Sequence, residues 1–204
     1  MRRGSFDRVA WLYDSLARLV FGNAIDKSQQ DLLRHLPASG NVLVLGGGTG
    51  RFLPELWRLR PALSITFIDA SHEMIRRAKA KQAPGQKVQF IHGTERDIPG
   101  GPYDSLLSPF YLDMFEGEAL DEVLTVLSSH VAPNGKWLVA DFNDSGRWWQ
   151  AIMLDSMYLF FRWTTGIQAA KLADLKTALN KLGWRESDRS TYYRGFIKAS
   201  LFVR

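Results

Sequence analysis

The stretch VLVLGGGTGRFLPELWRL, residues 42–59, decides the fold class. Its first four residues are wholly apolar, which is typical of a strand buried on both faces of a parallel sheet. Glycines follow at positions 46, 47, 48 and 50. Apolar residues then recur at helical spacing, at Phe52, Leu53, Leu56 and Leu59. Glycines bare the backbone and permit positive φ, and a helix start offers unpaired N–H groups, so the stretch predicts a strand–loop–helix unit that binds a ligand.

Strand-like and helix-like runs alternate on both sides of this unit. Further strands are predicted at 64–68, 87–92, 103–107 and 136–141, and further helices at 6–20, 26–35, 118–130, 145–163 and 170–182. A helix is also predicted after Ser71, with Met74, Ile75 and Ala78 on its buried side. Such alternation implies right-handed crossovers and a doubly wound sheet.

The last two strand-like runs, 184–192 and 196–203, are parted by only three residues. A crossover helix does not fit there, so these strands must be antiparallel neighbours. We therefore expect an α/β fold: a doubly wound, seven-stranded, mostly parallel, Rossmann-like sheet with an antiparallel C-terminal strand and helices on both faces. We expect one domain over residues 1–204, with a helical cap at 1–36 and a helical segment at 143–182.

Composition narrows the class of protein. The apolar fraction of 46% and the charged fraction of 23% are those of a globular chain. The absence of cysteine excludes disulfides, a thiolate nucleophile and thiolate-bound zinc. His35, His72, His92 and His130 have no metal-binding spacing, so we expect no metal. There is no signal-peptide pattern, and the most apolar stretch, 151–163, is too short to span a bilayer, so we expect a cytoplasmic protein without a transmembrane segment.

The glycine spacing distinguishes two kinds of nucleotide site. A dinucleotide site needs G-x-G-x-x-G, but the third position is Arg51 when counted from Gly46 and Leu53 when counted from Gly48. The observed pattern is G-x-G-x-G, at Gly46, Gly48 and Gly50. A tight structural turn remains the alternative to a ligand site.

Asp69 adds an acidic residue at the end of the second predicted strand, 19 positions beyond Gly50. A carboxylate there can accept hydrogen bonds from both hydroxyls of a ribose. The alternative is that Asp69 only caps the next helix, although Ser71 can supply that cap instead.

Residues 41–141 resemble the class I S-adenosylmethionine-dependent methyltransferases, whose spacing is G-x-G-x-G. VLVLGGGTG is similar to the first motif of that family, ITFIDASHEMIRRAK to the second and IHGTERDIP to the segment beside adenine. YDSLLSPFYLDMF resembles the fourth-strand motif and VAPNGKWLVADF the turn and fifth strand. The opening FDRVA, followed by Tyr13 and Asp14, resembles the ubiquinone/menaquinone-biosynthesis methyltransferases.

This resemblance implies S-adenosylmethionine as cofactor and S-adenosylhomocysteine as product. It implies that the three alternate glycines wrap the methionine and ribose parts, and that Asp69 holds the ribose. The remaining implied contacts are Met74 on an adenine face, Gly93, Thr94 and Glu95 at the adenine edge, and the backbone of Leu107 and Ser108 at the amino-acid end. The family usually has an acidic residue in place of Val44 and Asp in place of Thr94, so Glu95, Asp97 or the backbone would read the adenine amino group.

The sequence signals that indicate the methyl acceptor are weaker. Tyr111, Asp113 and Asp141 follow the fourth and fifth strands and are candidate catalytic or acceptor-binding residues, with ordinary loop or capping roles as the alternative. Aromatic and methionine side chains crowd the following helix, at Trp148, Trp149, Met153, Met157, Tyr158, Phe160, Phe161 and Trp163. In the family this segment and the N-terminal helix roof the acceptor site, which implies a small apolar or aromatic acceptor. A helix packed in the core or a homodimer interface are the alternatives.

Two other functions stay open. A nucleic-acid methyltransferase needs a basic strip beside the crevice, but the basic residues behind the net charge of +5 are scattered, which disfavours a nucleic-acid partner. A non-catalytic binding protein with the methyltransferase fold is the second alternative, because Val44 replaces the usual acid.

Overall fold

The computed structural model describes residues 20–165 and 172–204, with side chains at 20–159 and 172–204. The predicted helix at 6–20 lies outside these residues, apart from its last position. Seven strands form one sheet in the order β3-β2-β1-β4-β5-β7-β6. The strands are β1 (Ser39–Leu45), β2 (Ala62–Asp69), β3 (Val88–His92), β4 (Tyr103–Pro109), β5 (Val131–Phe142), β6 (Arg185–Tyr192) and β7 (Ile197–Val203).

The described residues contain six α-helices. They are α1 (Ala24–Leu33), α2 (Leu53–Leu59), α3 (His72–Lys79), α4 (Gly117–Ser129), α5 (Trp148–Thr165) and α6 (Leu175–Lys181). Two short 3-10 turns, Glu95–Asp97 and Leu112–Met114, follow β3 and β4.

The strand directions confirm the predicted fold class. Strands β1 to β5 pair in parallel, whereas β7 pairs antiparallel with both β5 and β6. The tight turn between β6 and β7 places Tyr193, Arg194 and Gly195 at φ of 49°, 56° and 85°. Three residues with positive φ reverse the chain at once, as the short gap in the sequence predicts.

Apolar clusters on both faces of the sheet hold the helices. Helices α1, α2 and α3 bury Leu32, Leu56 and Ile75 against one face of the sheet. Helices α4 and α6 bury Leu124 and Leu179 against the opposite face. The run 42–45 is fully buried between the two clusters, which explains why it is apolar at every position.

Ser71 begins α3 as predicted. Its Oγ accepts a hydrogen bond from the N–H of Met74 at 3.2 Å, which satisfies one of the free donors of the first turn. Ile75 and Ala78 are buried, while Met74 is half-buried at the edge of the helix. The side-chain cap of α3 therefore comes from Ser71.

Candidate functional site

The glycine loop after β1 has the backbone that only glycine adopts at low cost. Gly46, Gly48 and Gly50 have φ of 69°, 58° and 64°. The N–H of Gly46 donates to the carbonyl of Ile68 on β2 at 2.9 Å, and the N–H of Gly50 donates to the carbonyl of Gly47 at 3.1 Å. The loop is thus tied to the end of β2, where Asp69 lies.

The glycines of the loop face different neighbours. A methyl group on Gly50 would lie 2.6 Å from Cδ1 of Leu53, and one on Gly47 would collide with the ring of Phe67. A methyl group on Gly46 would lie 2.6 Å from Cδ2 of Tyr111. A methyl group on Gly48 would have no atom within 4 Å. Gly48 is therefore the loop glycine that opens onto free space, whereas Gly50 is required by packing between the loop and α2.

The carboxylate of Asp69 faces the glycine loop. Its Oδ2 accepts a hydrogen bond from the N–H of Gly48 at 2.8 Å, and its Oδ1 accepts one from the N–H of Ser71 at 2.9 Å. The side chain is almost buried but lies beside the open position at Gly48. The carboxylate therefore lies between the glycine loop and the start of α3, whose cap hydrogen bond comes from the side chain of Ser71.

The segment after β3 is held by its own polar groups. Thr94 caps the 3-10 turn: its N–H donates to Oδ2 of Asp97 at 2.9 Å, and its Oγ1 accepts from the N–H of Arg96. Glu95 points across the carboxyl end of the sheet, and its Oε2 accepts a hydrogen bond from the hydroxyl of Tyr111 at 2.6 Å. Of the polar side chains predicted beside adenine, Glu95 is thus the one that reaches over the strand ends.

Ser108 turns its side chain into the core. It is fully buried, and its Oγ accepts a hydrogen bond from Nε1 of Trp137 at 3.0 Å. The predicted cofactor contact at this position is made by the backbone of Ser108, and the direction of the side chain does not test it.

A cleft lies between α1, the glycine loop and the end of β4. The space that it encloses is about 90 Å³, smaller than the usual range for small-molecule sites. An ion pair of 2.8 Å joins Arg51 and Asp26 at its wall. The lining residues are Gly22, Ile25, Asp26, Gln29, Gly46–Thr49, Arg51, Pro109 and Phe110. The α1 residues were not predicted here, because nothing in the sequence indicates which face of α1 meets the loop.

Tyr111 is a buried side chain at the same edge. Only 5% of its surface is exposed. Burial raises the pKa of its hydroxyl well above the usual range, and the negative charges of Glu95 and Asp69 raise it further. The hydroxyl therefore keeps its proton and acts as a hydrogen-bond donor to Glu95.

Asp113 and Asp141 form a carboxyl pair at the ends of β4 and β5. Asp141 is 2% exposed, and its two oxygens accept from the N–H groups of Asp113 (3.1 Å) and Phe142 (2.8 Å). Burial raises the pKa of Asp113 to about 7, and burial together with the charge of Asp113 raises that of Asp141 well above its usual range. Two carboxyls this close do not both ionise readily, so the pair retains a proton near neutral pH.

Helix α5 brings a tyrosine to this pair. Burial, followed by the charges of Asp113 and Asp141, raises the pKa of Tyr158. Within the described residues, the hydroxyl of Tyr158 and Oδ1 of Asp113 are buried and have no hydrogen-bond partner. In the sequence, Tyr158 is only one of many aromatic residues in this segment, and nothing distinguishes it from the others.

Aromatic and methionine side chains of α5 pack against the core on one side of the helix. Trp149, Met153 and Met157 pack against a small cluster that contains Phe21, Phe142 and Phe196. Trp148 is 77% exposed. The helix thus joins the core on one side, and the side chains of Phe160, Phe161 and Trp163 lie outside the described set.

Metal-binding clusters and membrane-spanning helices are both absent from the described residues. Residues 20–165 and 172–204 contain no group of three or more histidine, aspartate or glutamate side chains arranged to hold a metal ion. No helix in the same ranges is long and apolar enough to cross a membrane.

The chain is similar to known proteins both in sequence and in structure. Residues 42–135 match a family described as methyltransferase domain. Over 102 residues the chain is 34% identical to a carboxy-S-adenosyl-L-methionine synthase of Nautilia profundicola, covering 43% of this chain and 44% of that protein. The chain spans about half the length of the first curated relatives that it matches. Over residues 42–135, less than half of its length, the chain is thus similar to methyltransferase domains.

Solved structures share the whole architecture. One is a complex between the Haloferax volcanii Trm112 methyltransferase activator and a methyltransferase, with a TM-score of 0.74 at 14% identity, covering 100% of this chain and 99% of that chain. Another is the 1,6-didemethyltoxoflavin-N1-methyltransferase of Burkholderia thailandensis with bound 1,6-didemethyltoxoflavin and S-adenosylhomocysteine, with a TM-score of 0.70 at 17% identity, covering 98% and 86%. At these identities the likeness shows the fold.

Proposed function

We propose that this chain, whose residues 42–135 match a methyltransferase domain, is an S-adenosylmethionine-dependent methyltransferase acting on a small apolar or aromatic acceptor. The observation that carries the proposal is the carboxylate of Asp69, which faces the glycine loop and accepts a hydrogen bond from the N–H of Gly48 at 2.8 Å. Gly48 opens onto free space beside it. A ribose can therefore approach bare backbone within reach of a carboxylate.

The residues at the strand ends fit the parts of this cofactor. Gly48 and Asp69 suit the ribose, because an open backbone position adjoins a hydrogen-bond acceptor. The other residues that would hold the cofactor are Gly46 and Gly50 in the loop, Met74 on an adenine face, Thr94 and Glu95 at the adenine edge, and the backbone of Ser108 at the amino-acid end. When bound, S-adenosylmethionine supplies a methyl group already activated on a sulfonium, and the product is S-adenosylhomocysteine.

Because the methyl group is already activated, the main task of the protein is to position the reacting groups. Its residues must hold the acceptor atom in line with the methyl group, exclude water and take a proton where the acceptor atom carries one. We assign the last task to the Asp113–Asp141 pair, because the pKa of Asp113, raised to about 7, lets this carboxyl take up or release a proton near neutral pH. A base tuned in this way is the kind that general acid–base catalysis needs.

The acceptor then lies beneath α5, which belongs to the segment 143–182. Trp149, Met153 and Met157 give the inner side of α5 an apolar, adaptable surface. Tyr158 adds a hydroxyl close to the carboxyl pair. These side chains suit a flat or lipidic small molecule, and the exposed Trp148 suits the edge of a homodimer contact.

A nucleic-acid substrate is the weaker alternative. Arg76 and Arg77 on α3 are both ion-paired with Glu73, at 2.7 Å each. Basic side chains already engaged in this way have less charge to offer to phosphates. A methyltransferase acting on nucleic acid predicts a gel shift at low salt, and the small-molecule proposal predicts none.

A non-catalytic binding protein is the second candidate, and the observation that favours it is Val44. This residue is fully buried where the resemblance implies an acid. Calorimetry separates the two candidates, because a methyltransferase releases heat on titration with S-adenosylmethionine or S-adenosylhomocysteine and a scaffold that has lost the site does not.

The direct test of the ribose site is Asp69→Ala. Loss of charged hydrogen bonds should weaken S-adenosylhomocysteine binding by at least about 1.5 kcal/mol, measured by isothermal titration calorimetry. Asp69→Asn keeps the shape of the side chain and should weaken binding as well. The matched control is Asp104→Ala, because Asp104 accepts a backbone hydrogen bond from Asn41 at 2.7 Å at the opposite end of the sheet. Equal affinities for wild type and Asp69→Ala would show that the ribose site lies elsewhere.

A further inference from the structure

The carboxyl ends of four neighbouring strands lie side by side at one edge of the sheet, and we call the region just outside them the strand-end trough. In sheet order the strands are β3, β2, β1 and β4. Glu95 follows β3, Asp69 ends β2, Gly46 and Gly48 follow β1, and Tyr111 follows β4. Ligands of open α/β sheets bind in the crevice outside these strand ends. Under the proposed function, the trough is where the cofactor lies.

Two side chains of the protein bridge this trough from its opposite ends. The outer strands are three strand spacings apart, or about 14 Å. Tyr111 extends from the β4 end and Glu95 from the β3 end, and they meet in a hydrogen bond of 2.6 Å. The negative charge of Asp69 also acts on the Tyr111 hydroxyl and raises its pKa.

The ring of Tyr111 uses the space that Gly46 leaves open. A methyl group at Gly46 would lie 2.6 Å from Cδ2 and 3.1 Å from Cβ of Tyr111. The ring is 5% exposed and packs against Phe115 on its other side, with ring centroids 5.4 Å apart. The close approach to bare backbone that a ligand needs at Gly46 is therefore made by the protein itself, and a cofactor and this ring cannot both lie there.

The backbone that directs Tyr111 into the trough is unusual. Phe110 has φ of 52°, a left-handed conformation that is costly for a bulky residue. Its N–H donates to the carbonyl of Ala140 at 2.7 Å, and its ring packs on Phe142 with centroids 5.0 Å apart. Phe110 thus turns the chain sharply at the end of β4, and a change of this one residue's conformation would redirect Tyr111.

We propose that Tyr111 is an internal occupant of the strand-end trough, locked by its hydrogen bond to Glu95, and that the cofactor binds only after displacing it. The inference rests on the proposed function. The apparent affinity for cofactor is then reduced by the fraction of molecules in which the trough is closed. Weakening the lock should raise the affinity, whereas the same change in an ordinary contact residue lowers it.

Calorimetric titration with S-adenosylhomocysteine tests the sign of this effect. Tyr111→Phe keeps the ring and removes the hydroxyl that donates to Glu95, and we expect binding about 3- to 10-fold tighter than wild type. Tyr111→Ala removes the occupant and should bind at least as tightly as Tyr111→Phe. Stopped-flow binding should give a rate that saturates with ligand in wild type and saturates at a higher value in Tyr111→Phe.

Tyr103→Phe is the matched control. Tyr103 is also buried and donates a hydrogen bond of 2.6 Å, to the carbonyl of Pro99, but it lies at the amino end of β4. This variant should bind S-adenosylhomocysteine as wild type does. Circular dichroism and thermal melts identify any variant that fails to fold, and Tyr111→Phe, which keeps the packed ring, decides the outcome if Tyr111→Ala does not fold.

The outcomes separate this inference from the proposed function. If wild type binds S-adenosylhomocysteine and Tyr111→Phe binds it equally or more weakly, the inference is overturned and the proposed function stands. No binding by wild type, Tyr111→Phe or Tyr111→Ala overturns both. Binding by the variants that exceeds wild type supports both.

Discussion

The two halves of the carboxyl edge of the sheet are built on opposite plans. At the ends of β1 and β2, glycine backbone and N–H groups surround one carboxylate, that of Asp69. At the ends of β4 and β5, two carboxyls face each other among aromatic rings, and Asp113 and Asp141 have raised pKa values. The first half offers bare backbone and a hydrogen-bond acceptor, which suits a nucleoside. The second offers a group that takes up and releases a proton, which suits chemistry on an acceptor.

The largest effect should follow from closing the open position in the first half. Gly48→Ala places a methyl group in the empty space beside Asp69, so S-adenosylhomocysteine should bind about 30-fold more weakly, or roughly 2 kcal/mol. Gly85→Ala is the matched control, because Gly85 also has positive φ and no atom within 4 Å of an added methyl group. Both variants should lose about 1 kcal/mol of stability, and only Gly48→Ala should lose affinity. Equal affinities would mean that the open position is not a binding surface.

The raised pKa values of Asp113 and Asp141 should make the free energy of unfolding depend on pH. A carboxyl whose pKa is higher in the folded chain binds more protons there than in the unfolded chain. Stability is therefore highest below the unfolded pKa, near 4, and is lost as the pH rises towards the folded value of Asp113, about 7. A tenfold change in proton affinity corresponds to about 1.4 kcal/mol, which moves the Tm of a chain of this size by roughly 3–6 °C.

Asp141→Asn removes the carboxyl pair and tests this expectation. The Tm of wild type should fall between pH 4.5 and pH 7.5 relative to that of Asp141→Asn, as measured by differential scanning calorimetry. Asp121→Asn, which changes an exposed acid on α4, should follow wild type. Parallel melting curves for wild type and Asp141→Asn at all pH values would contradict the shared proton.

The smallest effect should come from Tyr158→Phe. The hydroxyl of Tyr158 is buried without a hydrogen-bond partner among the described residues, so its removal leaves no donor unpaired. The free energy of unfolding should stay within about 0.5 kcal/mol of wild type or rise slightly. Tyr103→Phe, which loses a hydrogen bond, should cost about 1 kcal/mol in the same denaturant titration. A cost as large for Tyr158→Phe would mean that its hydroxyl is already paired.

The fold could be predicted from sequence because its signals are local. The apolar run at 42–45, the helix-length gaps between strands and the gap of three residues before β7 each exclude most other arrangements. The predicted start of β5 at 136 was wrong, because the strand begins at Val131 and continues through Pro133, Asn134 and Gly135, which are typical turn residues. These residues lie in an irregularity of the ladder, since Val131 pairs with Tyr103 of β4 and the regular pairing resumes with Lys136 opposite Ser105.

The site was predictable only in part, because side-chain direction depends on packing. The position of Asp69 beside the glycine loop could be predicted from its place at a strand end. The path of Tyr111 could not, since it depends on a left-handed Phe110, a conformation that phenylalanine does not signal. Nor does G-x-G-x-G reveal that Gly50 faces Leu53 while Gly48 faces open space.

The position of β7 has a consequence for synthesis on the ribosome. β7 lies between β5 and β6 although it follows both along the chain. Until β7 has been made, β5 has an unpaired edge and β6 has no neighbour to join, so nascent chains expose a strand edge of the kind that promotes aggregation. Completion of the sheet must therefore wait for the last strand to emerge, and premature termination before it would leave a half-built edge rather than a smaller stable domain.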